Sequence, residues 1–196
     1  EPIASDYIYS EANSGRMGSR LMAIVAEGER GRIYLEPTQE HEIIAHKAQP
    51  KWTPEVAMPE NPRWFSPPLY GLKTYGDLFT PRQLVALTTF SDLVQEVRER
   101  VKQDAVAAGM KDNEAGLDDG GTGAQAYADA VAMYLGFATS RWSDLSNSIC
   151  SWNNTNQNVR ALFARQAIPM NWDYVELSPF SVVGSWFSTV ESSVQA

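Results

Sequence analysis

Apolar and polar positions divide the chain into stretches of different rhythm. Residues 20–27 (RLMAIVAE) are apolar and strand-like, Gly28-Glu29-Arg30-Gly31 reads as a turn, and Arg32-Ile33-Tyr34-Leu35 returns, which predicts a β-hairpin. Pro37-Thr38 opens a short helix to about Lys47, with Thr38 as its cap. Residues 49–68 carry six prolines (Pro50, Pro54, Pro59, Pro62, Pro67, Pro68) and no periodicity, the mark of an extended connector. At Thr80-Pro81 the rhythm changes: a capping side chain precedes a first-turn proline, and Leu84, Leu87, Leu93, Val94, Val97 and Val101 recur at helical spacing. This helix is expected to run to about Ala108 and stop at Gly109. A polar loop, 111–123, leads to a second helix with Tyr127, Val131, Tyr134, Leu135, Ala138, Trp142 and Leu145 on one side. Two such helices around a short loop predict an antiparallel pair. Residues 156–166 predict a third, shorter helix ended by Ile168-Pro169, and 181–194 a last amphipathic turn or two. The expected fold is mainly α with a small β-hairpin (α+β). Its parts are a hairpin and short helix over 1–48, a Pro-rich connector over 49–76 and a helical bundle over 77–196, all in one globular unit.

Composition narrows the function classes. With 196 residues, 43% hydrophobic, there is enough apolar material for a core. One cysteine, Cys150, excludes a disulfide framework and a multi-cysteine zinc site, and points to a reducing cytoplasm. No run approaches a membrane span and no signal peptide is seen; Glu1-Pro2 in place of an initiator methionine points to a trimmed start. Asn153-Asn154-Thr155 matches a glycosylation acceptor, which has no meaning in the cytoplasm. The net charge of -8 opposes strong non-specific nucleic-acid binding, because phosphate contacts by Lys and Arg supply most of that affinity.

Four local motifs suggest chemistry without completing it. Leu117-Asp118-Asp119-Gly120-Gly121-Thr122-Gly123 mimics a nucleotide-cradling loop, but no buried strand precedes it, so it reads as a mobile interhelical loop. Ser66-Pro67-Pro68-Leu69-Tyr70 resembles the Pro-Pro-aromatic tetrad of amino methyltransferases; the fourth position is Leu69, and the stretch reads as connector. His41 and His46 are five apart, roughly 140° around a helix, which is wrong for sharing a metal; His41 reads as a helix-start or packing residue. Cys150 has no local His to act as its base.

Longer stretches carry a resemblance. Gly15-Arg16-Met17-Gly18, LEPTQEHE over 35–42, GDLFTPRQLVALTTF over 76–90, YADAVA over 127–132, FARQAIPM over 163–170 and Trp172-Asp173-Tyr174 together resemble the zinc-ribbon-containing adenine-specific DNA methylase family. The resemblance covers about residues 15–187. It implies a cytoplasmic S-adenosylmethionine-dependent DNA methyltransferase in which this chain is an antiparallel helical bundle inserted in a Rossmann-like catalytic domain. In that family the cofactor loop and zinc ribbon lie before the matched region and the catalytic tetrad after it. S-adenosylmethionine and zinc are therefore implied for the parent protein, with no catalytic, cofactor or metal residue expected here; Ser178-Pro179-Phe180 stands where the family has Asn-Pro-Phe and carries no chemistry. The implied partners are the rest of the methyltransferase and, through it, DNA. Insertions between catalytic motifs are where target readout sits, and base-modifying enzymes extrude their target. The candidate DNA contacts are Arg82 and Gln83 at a helix start, Arg141 beside Trp142, and Arg160 and Arg165 flanking Leu162 and Phe163. The alternative is a bracing or protein-interaction module whose arginines pair with carboxylates.

Overall fold

The computed structural model describes residues 2–61, 63–164 and 166–195. Among them are five α-helices and four strands in two antiparallel hairpins, an α+β fold in the order α1 (Ser5–Asn13), β1 (Ile24–Gly28), β2 (Gly31–Leu35), α2 (Gln39–Ala45), α3 (Pro81–Ala107), α4 (Ala124–Ser143), β3 (Ser151–Asn153), β4 (Asn158–Arg160) and α5 (Trp186–Val194). No helix among the described residues is long and apolar enough to cross a membrane. The chain divides into two compact units: residues 1–85 with 146–176, and residues 86–145 with 177–196.

The first unit is assembled from short pieces. β1 and β2 pair as the alternation predicts, Val25 opposite Tyr34 and Ala26 opposite Ile33, around the Gly28–Gly31 turn. The connector is extended but not loose. Ala57 bridges Thr74, Phe65 bridges Ile168 in parallel, and a 3-10 turn over Pro67–Tyr70 closes on Gly71 at φ 81. Only glycine suits that position, since a Cβ there would also meet the Ala12 carbonyl oxygen at 2.7 Å. Met58, Leu78, Ile149 and Ile168 form the core, with Phe65, Leu72, Tyr75, Phe79 and Leu162 packed on it. Helix α1 docks here: Asn13 Nδ2 donates to Leu69 O at 3.0 Å and the Tyr9 ring meets Tyr70 edge-on at 5.1 Å.

The third helix expected over 156–166 is a correction. β3 and β4 form a hairpin there, Trp152 opposite Val159, followed by a 3-10 turn over Leu162–Ala164. Asn153 Oδ1 accepts from the amides of Thr155 and Asn156, and Gln157 takes φ 49, so local asparagine bonds bend the chain before a helix can start.

The second unit is helical. Along α3 and α4, Phe90 meets Trp142 and Arg98 meets Asp129, so the two helices run antiparallel as expected. Trp142 is fully buried, its ring 5.7 Å from Phe90 and its Nε1 donating to Gly184 O at 3.0 Å. Trp186 of α5 stacks on Phe90 at 4.7 Å and donates to Thr139 Oγ1. The buried side of α4 is made of small residues, Ala124, Ala126, Ala128 and Ala138, besides Trp142, whereas Tyr127 and Tyr134 of the expected stripe are about half exposed. α5 begins at Trp186, five residues later than the pattern suggested, behind the Ser185 cap.

Candidate nucleic-acid interface

Helix α3 starts as its sequence dictates. Thr80 Oγ1 accepts from Gln83 N at 3.2 Å and Gln83 Oε1 accepts from Thr80 N at 2.8 Å, a reciprocal capping box with Pro81 at the first position. That geometry buries Gln83 to 2% exposure, so it is a capping residue and offers nothing to a DNA groove. Arg82 lies between three segments. Its Nε and Nη2 donate to Glu176 at 2.6 and 2.8 Å, and its Nη1 donates to Ala45 O at 3.3 Å at the end of α2. Thr80 Oγ1 donates to the same carboxylate at 3.0 Å. The bond to Glu176 raises the Arg82 pKa above its ordinary value, against the opposing effect of burial. A bidentate pair of this kind is directional and fixes both partners. Arg82 therefore ties α2, α3 and the 176 segment together.

The remaining candidates differ. Arg141 is exposed in the last turn of α4, where its charge suits the carbonyl end of the helix. Arg160 is exposed at the end of β4, and neither forms an ion pair among the described residues. Arg165 lies outside the described residues. Arg82, Gln83 and Arg160 belong to the first unit and Arg141 to the second. Sequence reasoning passed over Arg63, whose guanidinium lies 5.1 Å from the centre of the Trp64 ring, and Arg32, 5.5 Å over Trp152. The available signal was the adjacency Arg63-Trp64 between Pro62 and Pro67 of the proline run.

The motif look-alikes resolve into structural roles. The loop over 112–123 is tied down: Leu117 N donates to Asp129 Oδ2 at 3.0 Å, Ala124 N to Lys111 O at 2.9 Å, and Lys102 pairs with Asp112 at 3.1 Å. Its glycines serve that packing, since a Cβ on Gly121 would collide with the Ala115 carbonyl oxygen and one on Gly123 would lie 2.6 Å from Lys111 O. A loop folded so closely on its own backbone does not fit a nucleotide cradle. Ser66 Oγ accepts from Met170 N at 2.8 Å and Pro67 is buried, so the Pro-Pro stretch joins two segments. His41 Nδ1 accepts from Thr38 N at 3.0 Å and starts α2. Cys150 is fully buried. No group of three or more metal-ligating side chains occurs among the described residues.

Comparison with family models, with curated proteins and with solved structures finds no match to this chain.

Proposed function

We propose that this chain is the helical insertion of an S-adenosylmethionine-dependent, adenine-specific DNA methyltransferase, set in a Rossmann-like catalytic domain, where it presents a non-catalytic surface to DNA. The supporting observation is where the resembling stretches go. Leu78 and Phe79 from 76–90 and Ile168 from 163–170 share one core, while the Arg82–Glu176 pair fastens the same helix start two residues beyond Tyr174. Among the described residues those stretches hold buried apolar groups, caps and ion pairs, and the reading assigns the methyl-transfer chemistry to the rest of the protein. S-adenosylmethionine would supply the methyl group there and a zinc ribbon would sit apart, since loop 112–123 and His41 have the structural roles described above.

A second reading has an observation of its own. Met133, Tyr134 and Phe137 on α4 are 44%, 54% and 60% exposed, with Tyr127 a further turn or two back, an uncharged stripe suited to bracing a neighbouring domain. The discriminating experiment expresses the whole protein and measures N6-methyladenine in digested DNA by mass spectrometry. The methyltransferase reading expects methylated adenine; its absence from DNA exposed to well-folded, cofactor-supplied protein sinks that reading. Within an active protein, Arg160→Ala is expected to raise the KM for DNA if the insertion contacts it. An unchanged KM, with Phe137→Lys lowering stability instead, would leave the bracing reading.

A further inference from the structure

Charge is distributed unevenly in this acidic protein. Residues 61–76 contain Arg63 and Lys73 and no acid, and residues 145–172 contain Arg160 and Arg165 and no acid, although the whole chain carries 24 acidic against 16 basic residues. The fold joins these two stretches: Ile168 N donates to Trp64 O at 2.8 Å, Ser66 N to Ile168 O at 3.2 Å, and Met170 N to Ser66 Oγ at 2.8 Å. Phe65 and Leu162 turn inward onto the shared core. Their sequence neighbours stay out: Trp64 is 45% and Phe163 69% exposed, and Arg63, Lys73 and Arg160 are exposed as well. Among the described residues none of these three cations has an ion-pair partner, whereas Arg16, Arg82, Arg98 and Lys102 all do.

We infer that the two joined segments carrying Arg63, Trp64, Arg160 and Phe163 bind an unpaired DNA strand, with the arginines on phosphates and the aromatic rings against bases. This rests on the proposed function and says which surface meets DNA and in what form. Exposed cations without ion-pair partners among the described residues, on stretches that contain no acid, supply phosphate contacts in a chain whose net charge otherwise opposes them. Exposed rings favour a single strand over a duplex, because only unstacked bases present a free π-face. Arg63 already lies over Trp64, which holds a cation and a stacking surface within one step of each other. An enzyme that extrudes its target base leaves unpaired nucleotides beside the site, and a surface of this type would hold them.

The test is an anisotropy titration of the chain with labelled oligothymidylate and with the same strand in a duplex, from low to moderate salt. The single strand is expected to bind more tightly and to weaken with salt. Arg63→Ala with Arg160→Ala should cost roughly tenfold or more and flatten the log–log salt slope by about 0.7 per arginine. Trp64→Ala or Phe163→Ala should cost roughly five- to a hundredfold per stacked base and leave the slope unchanged. Arg100→Ala, on α3 in the other unit, should change nothing, and circular dichroism confirms that each variant is folded. No binding at the lowest salt, undiminished binding by the double arginine variant, or equal affinity for the duplex overturns the inference. Methylated adenine without strand binding removes this inference and keeps the methyltransferase reading; strand binding without methylation does the reverse.

Discussion

The two units reach stability by different routes. In the first, no helix lying wholly within its bounds exceeds nine residues among the described residues, and side-chain-to-backbone bonds reinforce the backbone pairs that join the pieces: Ser148 Oγ to Leu78 O, Met170 N to Ser66 Oγ, Asn171 Nδ2 to Cys150 O and Asn13 Nδ2 to Leu69 O. In the second, the 20-residue α4 and the greater part of α3 supply their own backbone bonds, and an aromatic stack of Phe90, Trp142 and Trp186 does the joining. Short segments cannot form alone and depend on partners far away in sequence, whereas long helices need one well-packed face. The difference bears on function. Turns and hairpin ends leave Arg63, Trp64, Arg160 and Phe163 exposed.

The largest expected effect comes from Trp142→Ala, which empties a fully buried ring site and strands Gly184 O. A loss of about 3–5 kcal/mol in denaturant unfolding is expected, with amide protection falling first within 86–145 and 177–196. Equal loss of protection around Leu78 would mean the units unfold as one and the contrast has no energetic meaning. Next, Glu176→Gln in the first unit weakens the clamp on Arg82. Both side chains are partly exposed, at 26% and 34%, so about 1–2 kcal/mol is expected, discounted for solvent screening. Arg82→Met in the same background should add little; full additivity of the two changes would show that the pair is not coupled.

The smallest effect is the pH dependence that Asp129 contributes to the second unit. The amide of Leu117, and then Arg98 and Gln125, hold the Asp129 carboxyl below its ordinary value of 3.8 despite the opposing effect of desolvation. A carboxyl whose folded pKa is depressed contributes stability above the unfolded value and loses it as pH falls through the folded one. Stability should therefore decline with pH below about 3.8, and Asp129→Asn should flatten that part of the profile. Exchange of the Leu117 amide reports the same event locally; a slope unchanged in the Asn variant would assign it to other carboxyls.

The reading from sequence succeeded where a local bond defines the element. Thr80-Pro81-Arg82-Gln83 announces its own capping box, and Gly28 and Gly31 bracket the β1–β2 turn. It failed where distant contacts decide. Helix α1 starts at Ala4, which offers no capping side chain, and its attachments are Leu69 and Tyr70, more than fifty residues on. Val159, Leu162 and Phe163 have helical spacing by coincidence; strands of three residues are too short for an alternation to show. Among the candidate contacts, Arg82 and Gln83 were selected for standing at a helix start, the very position that calls for capping and clamping. Arg63 gives no periodic signal, because it stands inside a proline-rich run without regular spacing.

The interleaved order of the units has a consequence for biosynthesis. Leu78 and Met58 share their core with Ile149 and Ile168, and residues 86–145 of the other unit lie between. On a ribosome adding ~5–20 residues per second, those sixty or so residues take roughly 3–12 s to emerge. During that interval the early segments have only one another and lack the Ile149, Leu162 and Ile168 part of their core, which leaves apolar surface open to chaperones. The helical unit meanwhile acquires α3 and α4 but waits for Trp186, so neither core closes until the last fifth of the chain is being made. Slowing elongation between codons 85 and 145 should thus lower the yield of folded protein.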